Sequence, residues 1–153
     1  MVNLCVVIPV ILLFLLYAYN RCESVQQFAF DFVVYYLLLG ASLAWTFIEY
    51  KEHRFTLHQE VYLDLDGPND GEHLAKIFSR HLHHHVFMNQ AKRIVQDIQT
   101  YVRYMTPPTA VLALVLPHHI AFTFVAGVLT GSLIYDGFHF AFHHGPDFKF
   151  AWF

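Results

Sequence analysis

Twenty-one consecutive residues, Phe28 to Ile48, carry a single charged side chain, Asp31. As a helix rising about 1.5 Å per residue, such a stretch is long enough to cross the roughly 30 Å hydrocarbon core of a bilayer. Val2 to Tyr19 is a second apolar run, interrupted only by Asn3, and spans roughly 27 Å as a helix. Thr109 to Tyr135 is a third, broken at Pro117-His118-His119. In a bilayer core a spanning segment must satisfy its own backbone hydrogen bonds, which favours helices. The chain is therefore expected to be all-α and integral to a membrane. The composition agrees: 56% of the residues are apolar and 14% charged, against roughly 25% charged in soluble domains.

At 153 residues the chain is one domain at most. Its net charge of −3 and lack of a basic run exclude a nucleic-acid partner. Cys5 and Cys22 have neither zinc-site nor disulfide-scaffold spacing, so both are expected to be free thiols. Residues 1–27 read as an anchor helix and turn. A cleaved signal peptide is the rival, but no basic residue precedes the run and the run is long. Pro9 is a candidate kink. The short polar turn Asn20 to Gln27 suits a helical hairpin. Asp31, near an interface, is expected to reach headgroups or water. Asp64 to Asp70 lacks the register of a calcium loop and reads as an acidic surface turn.

Between Gln90 and Met105 the apolar residues Ala91, Ile94, Val95, Ile98, Tyr101, Val102 and Met105 recur at helical steps, with charged and amide side chains opposite. This is an amphipathic helix, lying either in a membrane interface or on the protein's own core. Pro107-Pro108 is expected to end it. The apolar run that follows is expected to form a second hairpin, turning at Leu116-Pro117-His118-His119. Its first arm of eight residues spans only about 12 Å, so this hairpin should be shallow. Of the nine Lys and Arg, only Arg21 falls in the first turn, and the rest lie beyond the second run. The positive-inside rule makes that side cytosolic.

Of the twelve histidines, all but His118 and His119, which fall at the turn of the second hairpin, lie on that same side. His81, His84 and His85 stand at i, i+3 and i+4, and His139 and His143 at i and i+4, so each set shares one helix face. His53 and His58 are five apart, about 140° round an ideal α-helix. That pair converges only at a helix end, at a bend, or across two metals. Neutral imidazole is the commonest nitrogen ligand of first-row metals. These seven histidines are the candidate metal ligands, and seven suit two ions better than one. His73, His83, His118 and His119 read as structural.

The stretches Glu49-Tyr50-Lys51-Glu52-His53-Arg54-Phe55-Thr56-Leu57-His58, His81-Leu82-His83-His84-His85 and Tyr135-Asp136-Gly137-Phe138-His139-Phe140-Ala141-Phe142-His143-His144-Gly145-Pro146 come in an order that resembles the membrane-bound fatty acid hydroxylase superfamily. The four-residue gap in the first pair, Pro107-Pro108, and Phe124-Val125-Ala126-Gly127 resemble its fatty acid 2-hydroxylase branch. The resemblance covers roughly Phe28 to the end and makes 28–153 a hydroxylase-like domain. It implies two transmembrane hairpins under a histidine-rich cap on the cytosolic face of the endoplasmic reticulum membrane. It also implies two metal ions, iron expected and zinc possible, that use O2 to hydroxylate an acyl chain of a fatty acid or ceramide. Electrons would come from an external donor such as cytochrome b5. The family pattern continues into a further His-x-x-His-His cluster beyond His143, so the chain is expected to be incomplete at its C-terminus. The alternative is a catalytically inactive homologue that binds lipid or a single metal, or regulates a complete paralogue.

Overall fold

The computed structural model describes residues 2–57 and 98–144. Among the described residues every regular element is a helix. The first, α1 (Val2–Tyr19), has the limits of the first apolar run. A tight turn follows, in which Ser24 caps α2 (Val25–Asp31) by accepting a hydrogen bond from Gln27 N at 3.1 Å. Gln27 Oε1 reaches back to Glu23 N at 2.7 Å, so the pair forms a close variant of a capping box.

From α2 the backbone stays helical through a π-wound segment (Phe32–Ala44), α3 (Trp45–Lys51) and a second π-wound segment (Glu52–Leu57). At the end of the first π segment Trp45 N bonds Gly40 O, five residues back. Ser42 Oγ adds a bond to Leu37 O, also five back, at 2.9 Å. The result is one long helix in which Val25–Phe55 is apolar enough to cross a membrane.

The next element, α4 (Ile98–Val115), runs straight through Pro107 and Pro108. The expected stop at this pair is thus corrected. Two proline rings remove the N–H groups that would bond the Arg103 and Tyr104 carbonyls. Both residues lie on the exposed face, where those carbonyls can be solvated. Thr109 Oγ1 meanwhile bonds Met105 O at 2.6 Å and holds the following turn. Of the amphipathic repeat, Ile98, Tyr101 and Met105 pack on the protein's own core. Ala91, Ile94 and Val95 lie outside the described residues.

The break falls at Leu116-Pro117, as expected, and the Pro117 carbonyl accepts from both Ile120 N and Ala121 N at 3.0 Å. From there α5 (His118–His144) is the second helix apolar and long enough to span a bilayer, over His118–Ala141. It is the central element. Val125, Ala126 and Leu129 of α5 form the core with Val7 and Ile11 of α1 and Tyr101 of α4.

Its packing on the long helix is closest at three glycines. A Cβ on Gly40 would meet Phe124 O at 2.5 Å, and one on Gly131 would meet Ala41 O and Trp45 Cβ at 2.7 Å. One on Gly127 would strike the Tyr36 carbonyl. Gly127 and Gly131 stand four apart on one face, the spacing that lets helices in lipid approach backbone to backbone. Tyr36 seals the seam by donating to Thr130 Oγ1 at 2.8 Å, whose own proton goes to Ala126 O.

Most large apolar side chains of α1 and the long helix point outward, among them Leu12, Leu13, Leu38, Leu43 and Phe47. Asp31 does not. It is 2% exposed and faces His119, so the expectation that it reaches headgroups or water is corrected. A carboxylate in an apolar wall is stable where it is paired, and His119 on α5 is the partner that turns it inward.

Candidate active site

Where the long helix leaves its apolar stretch, Glu49 and His53 stand one turn apart on the face toward α5. Glu49 Oε1 lies 3.2 Å from His53 Nδ1. Opposite them, α5 presents Tyr135, whose hydroxyl lies 3.5 Å from the same His53 nitrogen, with the Glu49 carboxylate nearby. The Tyr135 ring packs on Trp45 of α3, with centroids 6.0 Å apart, and on His139 one turn along α5, at 5.4 Å. One tyrosine therefore bridges two of the sequence-nominated histidines, His53 and His139, on two different helices. His143 follows one turn further in α5, and its side chain lies outside the described residues. His58, His81, His84 and His85 also lie outside them.

A cavity of about 450 Å³ opens beneath this cluster, between α3, α4 and α5. Trp45, Ile48, Met105, Leu112, Phe124 and Val125 make its wall mainly apolar. Glu49, Glu52, His53 and Tyr135, with Tyr101 and Ser132, supply its polar lining. Size and lining match those of small-molecule sites, which pair an apolar body with a few convergent polar groups.

The third wall is fixed by a buried polar knot. Tyr101 of α4 donates to Asp136 Oδ2 at 3.0 Å and lies 2.8 Å from Ser132 Oγ, which completes the network as donor. Burial, and then the Asp136 charge, push the Tyr101 hydroxyl well above the ordinary tyrosine range, so it stays a donor at every physiological pH.

Two histidines near the break in α5 belong elsewhere. Tyr17 OH lies 2.9 Å from His118 Nδ1, and His119 pairs with Asp31. Both sit about 30 Å from the His53 end, counting 20 residues from His119 to His139 along α5.

The comparisons with known proteins point the same way. The ceramide very long chain fatty acid hydroxylase of Schizosaccharomyces pombe is 30% identical over 115 residues, 75% of this chain and 32% of that protein. The Saccharomyces cerevisiae protein of the same name is 31% identical over 109 residues, 71% of this chain and 27% of its own. Fatty acid 2-hydroxylase of Mus musculus is 29% identical over 114 residues, 74% of this chain and 29% of its own. This chain is a relative of the fatty acid 2-hydroxylases. It spans about a third of the length of these curated relatives. No protein-family model matches the chain, and no solved structure matches it significantly.

Set beside the 2-hydroxylase motifs, the structure adds residues that sequence reasoning passed over. Glu49, Tyr135 and Asp136 lay inside the quoted stretches but had no role there; they are the partners of His53 and Tyr101. The Gly127-x-x-x-Gly131 spacing and the Ser24-x-x-Gln27 cap were readable signals. The Tyr101 to Asp136 contact joins positions 35 apart and has no local signature.

Proposed function

We propose that this chain forms the membrane-embedded acyl site of a lipid hydroxylase acting on fatty acids or ceramide. The observation that carries the reading is the mainly apolar cavity with His53, Glu49 and Tyr135 in its wall. The metal ligands proposed are His53, His58, His81, His84, His85, His139 and His143. The donors that the structure describes fit such a centre. Glu49 and Tyr135 occupy Nδ1 of His53, so Nε2 is the nitrogen that would ligate. A carboxylate behind a ligating histidine is the usual way its ring is oriented and its basicity raised.

When bound, two metal ions, iron expected, supply the activation of O2 and its insertion into an acyl C–H bond, with electrons from an external donor such as cytochrome b5. The residues of this chain do the positioning. Phe124, Val125 and Leu112 take the acyl chain and exclude water, which strengthens every polar contact at the mouth. Trp45 and His139 hold the Tyr135 ring between them, and the Tyr135 hydroxyl stays beside His53.

The length of the helices supports a bilayer setting. Asp31 and His53 are 22 residues apart on one continuous helix, at most about 33 Å at the α-helical rise and of the order of a hydrocarbon core's thickness. The proposed placement is the endoplasmic reticulum membrane with the His53 end cytosolic.

The test is lipid mass spectrometry in cells whose own 2-hydroxylase has been deleted. Expression of the chain should restore 2-hydroxylated acyl lipids. His139→Ala or His84→Ala should abolish them without removing the protein from the membrane, and His83→Ala should leave them unchanged. A membrane-inserted chain that yields no hydroxylated lipid would point to an inactive homologue. Undiminished product from His139→Ala would remove that residue from the ligand set.

A further inference from the structure

At the end of the bundle away from the cavity, three side chains of different chemistry converge. Cys22 comes from the turn after α1, Asp31 from the last residue of α2, and His119 from the first turn of α5. His119 Nδ1 lies 2.6 Å from Asp31 Oδ2, and Cys22 Sγ donates to the same oxygen at 3.7 Å. The three potential ligand atoms all lie within 4.8 Å of one another. Gln27 holds the imidazole from behind, its side-chain nitrogen 3.4 Å from His119 Nε2. Asp31 is almost fully buried, while Cys22 and His119 are only partly so, which leaves an entry path. One turn on from His119, the buried Thr123 hydroxyl has no hydrogen-bond partner among the described residues.

We propose that Cys22, Asp31 and His119 bind one divalent ion of the zinc class, clipping the turn after α1 to the start of α5. A thiolate, an imidazole and a carboxylate are a zinc donor set, and sulfur with nitrogen excludes calcium and magnesium. Three protein ligands leave a fourth tetrahedral position for water. Ligand bonds of about 2.3 Å to sulfur and 2.0 Å to oxygen and nitrogen put tetrahedral neighbours at roughly 3.5 Å for S to O and 3.3 Å for N to O. The Cys22 to Asp31 distance is already close to that. The His119 ring, now sharing a proton with Asp31, must draw back by roughly 0.7 Å, which is a small torsional adjustment. Binding displaces the Cys22 thiol proton.

This site lies about 30 Å along α5 from His139, and its signal can be separated from that of the histidine ligands proposed above. The full chain carrying Cys5→Ser, purified in detergent without metal, is titrated with cobalt(II). A thiolate-to-cobalt charge-transfer band can then come only from Cys22, since imidazole sites give none. We expect the band to appear, to saturate, and to be displaced by zinc. His119→Gln and Asp31→Asn should each weaken cobalt binding by more than the roughly 10- to 100-fold that follows loss of a residue hydrogen-bonded behind a ligand. No band in the Cys5→Ser protein, or a band unaltered by His119→Gln, overturns the proposal. A second readout needs no change at the site: saturating zinc should slow maleimide alkylation of Cys22 in the same protein, and an unchanged rate overturns the proposal as well.

Discussion

Replacing Glu49 by glutamine keeps the shape of the side chain and removes the charge beside His53 Nδ1. The proposed ligand then loses the group that fixes its tautomer, and metal affinity at the cavity end should fall by roughly 10- to 100-fold, read by equilibrium titration of the metal-free protein. Tyr101→Phe tests a different contact. Its hydroxyl donates to Asp136 inside a buried network, so deleting it should cost about 1–3 kcal/mol of stability, visible as a lower thermal midpoint in detergent with α5 otherwise intact. At this scale the sequence was legible in kind but not in pairing. It nominated His53 and His139, which the structure brings to one tyrosine, whereas Asp31 and His119 are 88 positions apart and nothing local ties them. A lone aspartate in an apolar run says only that a partner must exist.

At the scale of elements, the apolar runs foretold α1, the long helix and α5, because a segment in lipid has little choice but to be helical. The stop at Pro107-Pro108 was misread for a physical reason: a proline pair removes hydrogen bonds only on the carbonyls it faces, and here those lie on the exposed side of α4. The glycine seam carries the sharpest expectation. Gly127→Leu drives a side chain into the Tyr36 backbone, where nothing flexible can yield. Overpacking of a close-packed contact costs about 1–3 kcal/mol or more. We expect the variant to become sensitive to limited proteolysis between the long helix and α5, while an exposed change such as Leu114→Ala, at a residue 86% exposed, leaves the pattern unchanged. Protease patterns indistinguishable between the two variants would show that the seam does not hold these helices together.

Among the described residues, the polar clusters lie toward two ends, and apolar surface covers the middle. Eight of the nine basic residues sit toward the His53 end in sequence, leaving Arg21 beside the other turn, and that asymmetry sets the proposed orientation. In sealed microsomes of the Cys5→Ser protein, a membrane-impermeant maleimide should reach Cys22 only after the vesicles are opened, while a tag at the C-terminus is digested from outside. Labelling of Cys22 in intact vesicles would reverse the orientation. The glycine seam has one further consequence. Because the long helix and α5 touch backbone to backbone over Gly40, Gly127 and Gly131, they cannot slide past each other by less than a full side-chain step. The gap between the helices that carry His53 and His139 is therefore gauged several turns away, in the apolar middle. A substitution that never approaches the polar mouth can still detune the spacing of whatever those two imidazoles hold.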